Sequence, residues 1–138
     1  MHIEIFSLCD AATTDAGGKL NVLGAFDTIW TANFPLIYPH CAIALRIRFE
    51  SIETGEHKVV VNFVDLDGRH IIPSATTTIN VAVPNNRTIS ANSVLNLQLL
   101  RFERYGEYSI DLAIDGRKEA SLPLFLMQMP VGQGRKAE

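Results

Sequence analysis

In one segment of this chain Ile43, Leu45, Ile47 and Phe49 alternate with Ala44, Arg46, Arg48 and Glu50. Tyr108, Ile110, Leu112 and Ile114 repeat the arrangement opposite Ser109, Asp111, Ala113 and Asp115. Only an extended chain turns successive side chains to opposite sides, so this period-two pattern requires a sheet with one buried face. The expected fold is an all-β antiparallel β-sandwich of about eight strands, with a closed β-barrel as the alternative.

Turn residues mark out the strands. The first covers 2–8 and gives way to a polar stretch, Asp10 to Gly18, in which Gly17-Gly18 tolerate turn conformations. A second is expected from Lys19 to Ala32, with Gly24 marking a bulge or bend. Pro35 and Pro39 bracket an apolar loop around 33–40, and the third strand follows at 41–50. The fourth, 57–66, is apolar on both faces, as in a covered central strand or one at a subunit contact. Asp67-Gly68 closes a hairpin into a loosely bounded fifth strand, 70–83, rich in threonine. The sixth, 93–103, carries Leu95, Leu97 and Leu99 along one face. Tyr105-Gly106 and Asp115-Gly116 turn the chain into strands 107–115 and 118–127, and Pro123 suggests a sheet edge. A single domain over 1–130 and a disordered polar tail at 131–138 are the expected organisation.

At 138 residues, folding buries roughly two-thirds of the extended surface, enough for a core without staples. The net charge of −3, with lysines and arginines scattered among acids, provides no basic stripe for nucleic acid. The N-terminus lacks a cationic, apolar signal pattern, and no run approaches the roughly 18 apolar residues of a membrane span. A soluble cytoplasmic protein is expected, with no membrane and no nucleic acid among its partners. Cys9 and Cys41 form no Cys-x-x-Cys motif, and in a reducing compartment they are expected as free, buried thiols.

Candidate chemistry is sparse. There is no Gly-x-Ser-x-Gly elbow, and Asp10 beside Cys9 disfavours a thiolate. His2, His40, His57 and His70 lie apart, without the i, i+4 spacing of a zinc helix. Asp65-Leu66-Asp67-Gly68 faintly resembles a calcium loop, but hairpin chemistry explains it, and the third acid and closing glutamate are missing. Gly17-Gly18-Lys19 lacks the earlier glycine and following Ser or Thr of a phosphate loop. Arg46 and Arg48 read as a solvated face paired to acids across the strand. No catalytic residue, metal ligand or cofactor is therefore expected. The remaining candidate is the aromatic and aliphatic set Trp30, Phe34, Ile37, Tyr38 and His40, read either as a partner or ligand surface or as a plug closing one end of the core.

Cys9-Asp10-Ala11-Ala12, the run Gly18-Lys19-Leu20-Asn21-Val22-Leu23-Gly24-Ala25-Phe26-Asp27, Phe34-Pro35, Gly55-Glu56-His57, Asp67-Gly68 and Gly106-Glu107-Tyr108-Ser109-Ile110 carry a resemblance. The chain resembles a family of short bacterial proteins catalogued as a domain of unknown function. The likeness covers nearly the whole chain apart from the tail, and 18–27 is its most specific part. It implies a bacterial source and an all-β fold, and brings no activity, cofactor or site residue. The function expected is a non-catalytic interaction or accessory module, engaging an unknown protein partner or self-associating through a sheet edge or strand 57–66. A sandwich binding sugar or calcium at its end loops is the alternative; an enzyme is not expected.

Overall fold

The computed structural model describes residues 1–130, so the expected tail at 131–138 lies outside the described residues. Among the described residues nine strands are present: β1 (His2–Thr14), β2 (Leu20–Ala25), β3 (Thr28–Thr31), β4 (Leu36–Phe49), β5 (Gly55–Asp65), β6 (Ala75–Val81), β7 (Ile89–Phe102), β8 (Gly106–Ile114) and β9 (Arg117–Gln128). A 3-10 turn spans Ser51–Glu53. The strands form two sheets, ordered β2-β1-β4-β7 and β3-β9-β8-β5-β6. The sheets pack against each other, and one curls into a half-barrel that does not close. The fold is an all-β sandwich, antiparallel except for the parallel pair β3–β9.

The alternation works as the pattern demands. Ile43, Leu45, Ile47 and Phe49 are fully buried between the sheets, and Tyr108, Ile110, Leu112 and Ile114 meet them from the other layer. In β5, Val59, Val61 and Phe63 point inward, while Val60 and Val64 stay half-buried on the outer face. Flanked by β8 and β6, β5 is a central strand.

Several boundaries differ from the sequence-based expectation: β1 runs on through Thr14 where a polar turn is expected from Asp10, β6 starts only at Ala75, and β7 starts already at Ile89. The strand expected over Lys19–Ala32 is two strands in different sheets. Gly24, next to the last residue of β2, adopts φ +71° and bends the strand just before the chain leaves the sheet. Phe26 and Asp27 then bridge the layers: the Phe26 N–H donates to the Leu8 carbonyl at 3.0 Å, and the Asp27 carbonyl accepts from Phe125 N–H at 2.8 Å.

The 33–40 segment is not wholly a loop, because β4 begins at Leu36 and runs through Pro39. Beyond Ala42, β4 has lost β1 as a neighbour and pairs only with β7, so a residue without an N–H is tolerated there. The expected Leu95-Leu97-Leu99 stripe also breaks. Leu99 has φ +56° and is exposed, and beyond it Leu100 and Phe102 are the buried residues. Across the ladder from this point β4 switches as well, from Leu36 and Tyr38 packing on the core to Cys41 and Ile43. Both strands therefore exchange faces around Pro39 and Leu99. Pro123 behaves as expected of an edge: β9 has only β8 beside it until Phe125 meets Thr28 of β3.

Candidate functional site

The five aromatic and aliphatic candidates divide between two environments. Phe34 packs edge-on against Tyr105 at 4.5 Å, and the Tyr105 hydroxyl donates to the carbonyls of Thr31 and Ala32, both at 3.3 Å. Tyr38 lies against Phe26 at 5.9 Å, and both Phe34 and Tyr38 rest on the main core. These two act as the plug. Trp30, Ile37 and His40 instead face solvent, with Trp30 54% exposed. Ile29 buries its side chain, so its neighbour Trp30 must point outward, and its register partner on β9 is Met127, also exposed. The outer face of the short edge strand β3 thus carries a Trp–Met pair.

The structure also assembles a cluster that local sequence could not signal. The Nδ1 of His57 lies 2.6 Å from Asp115 Oδ2, and its Nε2 lies 2.6 Å from the Glu53 carbonyl oxygen. The ring stacks on Phe49 with 4.8 Å between centroids. Both ring nitrogens face acceptors, so the ring satisfies both only as a doubly donating imidazolium. The hydrogen bond to the Glu53 carbonyl is the largest cause raising its pKa above the ordinary histidine value, and the Asp115 carboxylate adds to it against the cost of burial. Asp115 is held below the usual carboxylate range by His57 and by the Lys58 N–H. A histidine–aspartate pair can serve a general base, but here the nitrogen that would take a proton is committed to a main-chain carbonyl. The arrangement ties the 3-10 turn, β5 and the β8–β9 turn together.

Other polar groups are similarly engaged. Asp65 Oδ1 accepts from the N–H groups of Asp67 and Arg69, both at 2.9 Å. The Arg104 guanidinium lies 3.1 Å from Asp67 and 3.4 Å from Asp65, so an arginine supplies positive charge to the faintly calcium-like turn. Among the described residues no group of three or more His, Cys, Asp or Glu side chains is placed to hold a metal ion. Ser109 and Ser121 both donate to Asp111 Oδ1 at 2.7 Å. Glu4 receives Arg46 at 2.8 Å and Arg48 at 2.6 Å, the cross-strand pairing expected for those arginines.

Cys9 and Cys41 are free and buried. Cys9 sits opposite Ala42 in the β1–β4 ladder, adjacent in sequence to Cys41, yet the thiols belong to different apolar clusters. Strand alternation sends them to opposite faces of one sheet, which precludes a bond between them. Burial pushes the Cys41 thiol up to about 12.

A cleft of about 360 Å³ opens where β1 and β9 face each other without pairing, lined by Phe6, Leu8, Phe26, Asp27, Leu122 and Pro123. This seam is where a closed barrel would need a further ladder. No helix of the described residues is long and apolar enough to cross a membrane.

A family model described as a family of unknown function (DUF6941) matches residues 4–127. The chain belongs to this family. The match spans β1 to nearly the end of β9, so the family corresponds to the whole sandwich and not to one of its layers. No curated protein matches the chain.

Proposed function

We propose that this member of the family is a non-catalytic interaction or accessory module of the bacterial cytoplasm, working through contacts with a protein partner or with a second copy of itself. The observation that carries this reading is the exposed Trp30–Met127 pair on the outer face of β3 and β9, at a strand whose far edge has no neighbour among the described residues. Tryptophan contributes large contact area for little lost side-chain entropy, and such residues dominate the energetics of protein interfaces. The engagement of His57, Asp65 and Asp111 in structural hydrogen bonds supports the non-catalytic part of the proposal.

Native mass measurement over a concentration series, with affinity capture from a bacterial lysate, tests it. A dimer or a specifically captured protein, lost in Trp30→Ala while that variant keeps its stability within about 0.5 kcal/mol, is the expected result. A monomer at every concentration with nothing captured, or capture indifferent to Trp30, refutes it.

A further inference from the structure

The segment 10–25, the β1–β2 hairpin, does not continue flat beside β4. The β1–β4 ladder ends at Cys9↔Ala42, while β1 runs on with β2 to Thr14↔Leu20. At the tip of that hairpin the Gly18 carbonyl accepts from Asn92 Nδ2 at 2.8 Å. Asn92 belongs to β7 and is level with Arg46, several residues back along the sheet from Ala42. To reach it, the hairpin must fold back across the outer face of its own sheet. The side chains beneath agree: Ala12 and Leu20 of the hairpin pack with Cys9, Ala42 and Ala44, and with Val94 of β7.

We propose that this hairpin is a hinged flap, latched by Asn92 and opening as a unit, that masks Cys9 and the alanine-lined outer face of β4. Three features of the geometry carry it. A hinge lies where the β1–β2 ladder passes from Cys9↔Ala25 to Ala11↔Leu23 with Asp10 and Gly24 unpaired. There Gly24 has φ +71°, a backbone conformation that side chains rarely adopt, and a Cβ on it would stand 2.5 Å from the Asp10 carboxylate, so the bend strongly favours glycine. The tip is rigid: Asp15 Oδ1 accepts from the N–H groups of Gly17 and Lys19, at 2.9 and 3.0 Å, which aims the Gly18 carbonyl at Asn92.

The third feature is weak adhesion. The main core is built largely from buried phenylalanine, leucine, isoleucine and valine, whereas the cluster under the flap buries only Cys9, Ala12, Ala42 and Ala44, its larger members Ile5, Leu20 and Val94 staying partly exposed. Small side chains let the hairpin lie close but return little from burial, so opening here costs far less than unfolding the sandwich. The latch is also separable. Arg46, which donates to Asn92 Oδ1 at 3.1 Å, also donates to Glu4 at 2.8 Å, so it has a second partner when Asn92 is replaced. While the flap is shut, burial raises the Cys9 thiol pKa and keeps it protonated.

The two thiols supply the test, because Cys9 reports the flap and Cys41 reports the core. Both are labelled with a maleimide below the unfolding transition, over a urea series, and read peptide by peptide by mass spectrometry. In the wild-type protein Cys9 is expected to label at least about tenfold faster than Cys41, with a shallower urea dependence. Asn92→Ala is expected to accelerate Cys9 about fivefold, as befits one lost hydrogen bond, and to leave the ratio for Cys41 near one. Leu23→Ala, on a side chain 70% exposed, leaves both rates unchanged. Equal labelling of both thiols with one steep urea dependence overturns the proposal, as does acceleration of both by Asn92→Ala. Should that variant not fold, the wild-type urea series alone decides.

Discussion

Raising the pH should release the His57 tie, and its size can be worked from the contacts. His57 makes one hydrogen bond to a half-exposed carboxylate, one to a main-chain carbonyl and a stacked contact on Phe49. A charge-assisted bond to an exposed partner contributes at the low end, about 1 kcal/mol; the carbonyl bond adds about 1 and the stacking about 0.5. Replacing His57 by Ala should therefore cost about 2–3 kcal/mol. Deprotonating the ring removes one of its two donors, so the pH-dependent part is about 1–2 kcal/mol. The folded-state pKa is raised, so this stabilisation is complete below the unfolded value near about 6.5 and is lost as pH climbs through the folded value. Asp115 behaves oppositely: its depressed pKa supplies stability present above about 4 and lost as pH falls through the folded value. Urea unfolding of the wild type and His57→Ala should thus differ most between about pH 5 and 6, and the gap should shrink on both sides. A gap that stays constant from about pH 5 to 9 would refute the imidazolium assignment.

Two further outcomes test the packing. Phe63, fully buried in the central strand β5, should cost about 3–5 kcal/mol when cut to Ala, enough to show as a large fall in the urea midpoint. Leu99→Gly should raise stability by about 0.5–1 kcal/mol, because an exposed leucine with φ +56° pays a left-handed penalty that glycine avoids; chemical denaturation reads the sign directly.

Much of the sandwich is legible in residue order. Ile43 to Phe49 and Tyr108 to Ile114 are read correctly because burial of one face imposes its period directly on the chain. The edge position of Pro123 is legible for a similar reason, since a missing N–H is a local chemical fact. The loop assigned to 33–40 failed because proline excludes a central strand only where both sides must be paired, and β1 leaves β4 before Pro39. Leu99 misled because its side chain continues the alternation while its backbone does not. Of the five candidate surface residues, the pattern could gather Trp30, Phe34, Ile37, Tyr38 and His40 but could not divide plug from surface.

Alternation and turn chemistry were settled by the order of residues alone, because each depends on neighbours within a few positions. Which strands lie side by side was not. His57 meets Asp115, Asn92 meets Gly18, and Cys9 turns away from Cys41 only once long-range ladders set the registers. Register is a property of two segments together, fixed by how their buried faces fit, and no single segment carries it.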